Sequence, residues 1–125
     1  MLMSPPLYFG NVIVAEASAT AAAAGGFSKL RFKLINNGSQ SVYFLSIETD
    51  LAKESQLMVH LGGEDWTALE SIGVPSGEVL DLHSSHFYVL LGPLRQPFEE
   101  GDVFDARLKL VSTEIPVVFH VLPSE

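Results

Sequence analysis

Short runs of alternating apolar and polar residues, separated by glycine, proline, asparagine and serine, limit the fold of this sequence more than any other feature. In the clearest run, residues 27–35, Leu30, Phe32 and Leu34 alternate with lysine and arginine. Side chains two positions apart on a strand point to the same face, so this run predicts a strand with one buried face and one face in water. Such runs at short intervals are typical of an antiparallel two-sheet β-sandwich.

The other alternating runs bring the predicted total to about eight strands. They lie at residues 8–17, 42–47, 56–61, 79–82, 86–91, 103–111 and 116–122. Asn37 and Gly38 predict a tight hairpin turn between the runs at 27–35 and 42–47. The small residues at 18–26 predict a flexible loop, and Asp50 is a suitable cap for a helical turn over 51–56.

Length and composition favour one packed domain over residues 1–125, and we expect a monomer. Of the 125 residues, 47% are apolar and only 18% are charged, which matches an ordinary globular core. The formal net charge of -8 would repel phosphate backbones, so no nucleic-acid partner is expected. The absence of cysteine excludes disulfides, thiolate nucleophiles and cysteine-containing zinc sites.

The sequence gives no sign of membrane insertion. No stretch reaches the roughly 18 apolar residues of a membrane-spanning helix. The first basic residue is Lys29, so the sequence starts without the basic head of a secretory signal. If the protein is exported, we expect its signal peptide to have been removed.

Four segments carry a resemblance to a known family. They read LINNG at 34–38, LMVH at 57–60, VPSGEVLDL at 74–82 and FYVLLGPLRQPFEEGD at 87–102. The sequence resembles the periplasmic copper chaperones of the PCuAC family. That family has an Asn-x-Gly turn, a Val-Glu-Leu-His strand end, an Ile-Pro-Ala-Gly turn, and a Tyr-His-x-Met-Leu strand followed by a segment ending in Gly-Asp. The likeness extends over most of residues 12–122.

The resemblance implies a cupredoxin-like β-sandwich in the periplasm. Such a protein delivers Cu(I) to a respiratory oxidase subunit or another periplasmic copper protein, or buffers it. The family's ligands are a histidine that ends a strand, a methionine in the loop beyond it, and a His-x-Met pair. His60 matches the first ligand, whereas Tyr88 and Leu90 replace the pair and residues 61–73 contain no methionine. The resemblance therefore implies an altered and weaker copper site.

The remaining soft donors predict where that altered site lies. On extended strands Met58 and His60 share one face, and His86 shares the face of Tyr88. We expect Met58, His60 and His86 to bind Cu(I) through thioether and imidazole donors, with His83 as a fourth donor or in exchange with His86. In the alternative interpretation Met58 fills the core, and the two later histidines are solvated turn residues.

Other residues have structural roles in this interpretation. We expect Trp66 to cover an edge of the core, Tyr88 to pack, and His120 to form a hydrogen bond within a strand. The sequence lacks the nucleophile elbow, Walker, dinucleotide-binding and His-Glu-x-x-His motifs, so no enzyme is expected. The alternative function is a metal-free family relative whose sandwich binds a protein partner. Imidazoles of His60 and His86 more than about 10 Å apart would favour it, since no metal ion could join them.

Overall fold

The computed structural model describes residues 7–9, 11–60, 66–83 and 86–123. The secondary structure of these residues consists of eleven β-strands. They are β1 (Leu7–Phe9), β2 (Val12–Thr20), β3 (Ser28–Asn36), β4 (Val42–Glu48), β5 (Ala52–His60), β6 (Trp66–Leu69), β7 (Ile72–Val74), β8 (Val79–Asp81), β9 (Phe87–Leu94), β10 (Val103–Leu110) and β11 (Glu114–Leu122). The described residues include no helix that is long and apolar enough to cross a membrane.

The strands form one continuous sheet that folds over onto itself. Its order is β6-β5-β9-β3-β2-β11-β10-β4-β7, with β1 on β2 and β8 on β3. The rings of Phe32 on β3 and Phe44 on β4 meet edge to face with their centres 5.3 Å apart, so the two halves pack against each other. The all-β, cupredoxin-like sandwich predicted from the sequence is confirmed. One strand pair, β2 with β11, is parallel.

The flexible loop predicted for residues 18–26 does not begin at residue 18. β2 continues to Thr20, because Ser18 pairs with Arg31 on β3 on one side and with His120 on β11 on the other. Pairing on both sides outweighs the weak strand preference of serine and alanine. A bulge interrupts the register between Ala15 and Ser18, where Glu16 has a φ of 55°.

The predicted hairpin between β3 and β4 is wrong, because the two strands lie in opposite halves of the sandwich. β3 pairs with β2, β8 and β9, whereas β4 pairs with β10 and β7. The buried amide of Asn36 donates to the carbonyls of Gln40 at 2.8 Å and Val74 at 2.9 Å. Its oxygen accepts a bond from the amide of Gly38. Asn36 therefore holds a crossing between layers at the position where the sequence suggested a tight turn.

The predicted helical turn over 51–56 is also wrong. Ala52 already pairs with Leu94, and β5 runs from there along β9 to His60. Two short strands, β6 and β7, were not predicted because each has at most four residues. The glycine pair at 62–63 predicts a turn after β5, and it lies outside the described residues.

Candidate metal site

The adjacent ends of β5 and β9 place two imidazoles side by side. His60 is the last residue of β5, and His86 directly precedes β9. The amide of His60 donates to the carbonyl of His86 at 2.9 Å. Their ring centres are 5.8 Å apart. At this separation, rotamer changes can bring both rings onto one ion at metal–nitrogen distances of about 2 Å.

Met58 lies on the same outer face of the sheet as His60. Leu57 and Val59 are 0% and 3% exposed, so the side chains that alternate with them point away from the core. Met58 is partly buried and stands opposite Tyr88 on β9. It therefore does not serve as a core filler, and its thioether is on the side of the two imidazoles.

An aromatic pair covers the sheet next to His60. Trp66 is the register partner of His60, and their ring centres are 5.1 Å apart. Trp66 also meets Tyr88 edge to face at 4.6 Å. Tyr88 is only 7% exposed, so it packs as expected. Trp66 is 40% exposed and covers the outer face instead of an edge of the core, because the pairing of β6 with β5 sets it opposite His60.

Two cations complete this face and were not singled out from the sequence. Lys29 Nζ lies 4.8 Å from the centre of the Tyr88 ring, and Arg31 Cζ lies 5.7 Å from it. Both positions are on the predicted wet face of β3. Their approach to Tyr88 depends on the register of β3 with β9, in which Leu30 pairs with Val89. The sequence alone does not indicate which strands pair in this way.

His83 is directed to a different part of the face. Its Nε2 lies 2.7 Å from the carbonyl oxygen of Glu16 on β2, at the bulge. Its amide donates to a carboxylate oxygen of Asp81 at 2.9 Å. Since β3 separates β2 from β9, the structure does not bring His83 to the pair of imidazoles, contrary to the expected fourth donor.

The donor types available near the pair decide what it can bind. Within the ranges that the structure describes, no three His, Cys, Asp or Glu side chains form a group that could hold a metal ion. A site on His60 and His86 therefore needs a donor of another kind, and the thioether of Met58 on the same face is of that kind. Two imidazoles and a thioether are neutral donors that suit Cu(I) better than hard divalent cations.

Comparisons with known proteins give matches in structure and none in sequence. No family model matches the chain, and neither does any curated protein. The copper-bound PCuAC domain from PmoF2 is similar to it with a TM-score of 0.82 at 11% identity, covering 96% of this chain and 99% of that one. The apo PmoF2 PCuAC domain gives 0.81 at 13%, covering 97% of each chain. The apo PCuAC domain from PmoF1 gives 0.78 at 16%, covering 94% and 98%.

These likenesses span the whole sandwich in each case. At such low identity they concern the path of the backbone and not the residues of the site. The likeness in structure agrees with the resemblance that the sequence motifs carry. This chain has the fold of the PCuAC domain.

Proposed function

We propose that this chain is a periplasmic copper(I) carrier that holds its ion between His60 and His86, with Met58 as the third donor. The observation that supports the proposal most is the 5.8 Å separation of the two ring centres on one outer face. The two rings come from strands that are hydrogen-bonded to each other, so little ordering remains to be done when an ion binds. The carrier delivers or buffers copper, acts as a monomer and catalyses no reaction.

The charges around this pair suit a monovalent ion. Neutral imidazole and thioether donors bind Cu(I) without burying an uncompensated charge. The net charge of -8 raises the concentration of cations around the protein as a whole. No thiolate takes part, so release does not compete with disulfide formation.

We infer that the site is weaker than a four-donor site of the family's type. Tyr88 presents a phenol, which is a hard donor, and its ring is held by Trp66 and two cations. Leu90 offers no donor atom. A weaker site suits a protein that gives its ion to a partner, such as a respiratory oxidase subunit or another periplasmic copper protein.

A second candidate function is a metal-free sandwich that binds a protein partner. The loss of both donors at Tyr88 and Leu90 favours it. An aromatic residue that is 40% exposed, Trp66, lies on the same face, and such residues are enriched in protein interfaces.

A titration with Ag(I), the redox-inert substitute for Cu(I), distinguishes the two functions. We expect stoichiometric metal to shift the NMR signals of His60, His86 and the Met58 methyl group together. The matched control is His83→Gln, which removes an exposed imidazole outside the pair and should bind silver as the wild type does. If no signal moves at an equimolar ratio, the metal-free function is the correct one. If the His83→Gln protein no longer responded to silver, the ion would bind elsewhere than at His60 and His86.

A further inference from the structure

A groove of about 580 Å³ lies on the same outer face as the candidate metal site. Its lining includes Phe27, Lys29, Arg31, Leu90 and Leu122. Cations and apolar side chains thus border one concave surface. The copper proposal uses none of these five residues as a donor.

The two cations of the groove stand apart from the other charges of the described chain. No described carboxylate forms an ion pair with Lys29 or Arg31, whereas Lys33, further along β3, pairs with Glu16 at 2.8 Å. The carbonyls of Leu82 and Phe87 accept hydrogen bonds from Arg31 Nη1 at 2.8 and 3.1 Å. These bonds orient the guanidinium without neutralising it. These two cations attract an anion locally, against the repulsion that comes from the net charge of -8 of the whole protein.

The apolar wall of the groove is held in place by β9. Phe27 is 50% exposed, and its ring packs against Gly92, where an added Cβ would lie 2.7 Å from the ring. Gly92 is therefore needed for this close approach. An exposed, fixed aromatic ring offers contact area at little cost in conformational entropy. The groove suits an extended segment that carries an apolar side chain next to a carboxylate.

The groove and the metal pair are joined by a row of touching side chains. Lys29 and Arg31 lie over Tyr88, Tyr88 meets Trp66 at 4.6 Å, and Trp66 meets His60 at 5.1 Å. A protein that places a segment in the groove is therefore a neighbour of His60. This arrangement would hold a copper-exchanging partner over the ion.

We propose that this groove docks the protein that exchanges copper with this chain, through an extended acidic segment of that partner. A carboxylate of the segment pairs with Arg31 and Lys29, and its apolar neighbour packs on Phe27 and Leu122. The partner's role in copper exchange rests on the proposed function. The recognition of an acidic and apolar segment does not, and it can be tested without metal.

The probe is a short peptide with blocked ends and Asp-Leu-Glu-Leu at its centre, compared with the matched peptide that carries Asn-Leu-Gln-Leu. We expect the acidic peptide to shift the NMR amide signals of residues 27–31 and 90. The neutral peptide should bind about 10-fold more weakly or worse, because charge-assisted hydrogen bonds are lost. Added salt should weaken the acidic peptide selectively.

Variants locate the binding. Arg31→Gln should weaken the acidic peptide by about 10-fold, the loss of a charged hydrogen bond. Lys29→Gln should also weaken it by about 10-fold. Because it changes an exposed strand position, it keeps the fold if Arg31→Gln proves unstable. The control is Lys53→Gln, which removes an exposed cation of β5 that does not line the groove. Its affinity should equal that of the wild type.

Three results would overturn the docking proposal. They are equal affinity for both peptides, equal weakening by Lys53→Gln and Lys29→Gln, and binding of acetate as tight as that of the peptide. Silver titration of Lys29→Gln separates this proposal from the copper proposal, since we expect it to bind silver as the wild type does. Peptide binding without silver binding would remove the copper function and leave the groove. Silver binding without peptide binding would remove the docking proposal and leave the copper function.

Discussion

The two outer faces of the sandwich use their polar residues in different ways. On the face formed by β4, β10 and β11, the charges pair with each other: Lys109 contacts both Glu48 and Glu114, and Arg107 lies 3.8 Å from Glu48. On the face formed by β5, β9 and β3, Lys33 pairs with Glu16, but two imidazoles, a thioether and two cations have no charged partner among the described residues. The first face is a solvated surface, whereas the second keeps donors and charges available for ligands.

The largest effect should follow from removing an imidazole of the pair. We expect His60→Ala and His86→Ala each to weaken Ag(I) binding by more than the roughly 10–100-fold that losing an outer-shell partner costs, because a ligand itself is lost. Isothermal titration calorimetry measures this. Glu48→Gln, on the opposite face, serves as the control and should leave silver affinity unchanged. Equal losses in all three variants would abolish the difference between the faces.

Restoring the family's donors should have the opposite effect. In the double variant Tyr88→His and Leu90→Met, two soft donors enter the outer face of β9, with the new imidazole opposite Met58. We expect silver affinity to rise by about 10-fold or more, since each 1.4 kcal/mol of added binding gives a factor of ten. Competition against a chelator of known affinity measures the change. Unchanged affinity would indicate that the ion binds away from β9.

Metal binding should change the fluorescence of Trp66, the single tryptophan. Replacing this residue should change the affinity less than the variants above do. Because Trp66 contacts His60 but offers no strong donor, Ag(I) should change its emission, while Trp66→Phe should alter affinity by no more than about 3-fold. Emission is recorded during titration of the wild type and of His60→Ala. A full change in the His60→Ala protein would contradict binding beside that ring.

The paired face should contribute only a small, pH-dependent stability. The hydrogen bond from Lys109 holds the pKa of Glu114 below its ordinary range. A depressed carboxyl pKa stabilises the folded state at neutral pH, and this contribution is lost as the pH falls below 4.5, the ordinary pKa of a glutamate, and the carboxyl is protonated. Thermal melting of the wild type and of Glu114→Gln should differ slightly at pH 7, with the wild type more stable, and converge in acid. Silver affinity at pH 7 should be equal in both proteins.

The alternation of residues was enough to predict the fold class and to put Met58 and His60 on one face. Alternation does not show which strands pair. The approach of His60 to His86 follows from the pairing of β5 with β9, and the position of Trp66 follows from the pairing of β6 with β5. Two runs joined by Asn-Gly look the same whether they form a hairpin or cross between layers, so the β3–β4 connection was predicted wrongly.

The direction of His83 also could not be predicted. It depends on the carbonyl of Glu16, which lies at a bulge. Glu16 has a φ of 55°, a value that is unusual for residues other than glycine. Nothing in the residue type of Glu16 indicates that conformation. The absence of an ion pair between Lys29 or Arg31 and a described carboxylate likewise depends on which side chains the fold brings near them.

X-ray absorption spectroscopy of the 1:1 Cu(I) complex tests most directly whether one ion joins the two imidazoles and the thioether. We expect nitrogen scattering at about 2 Å with the outer-shell pattern of two imidazoles, together with one sulfur at about 2.3 Å. The imidazole pattern should fall by half in His86→Ala and remain complete in His83→Gln. A spectrum with no sulfur and no imidazole scattering, or one unchanged in His86→Ala, would contradict a copper site at this pair.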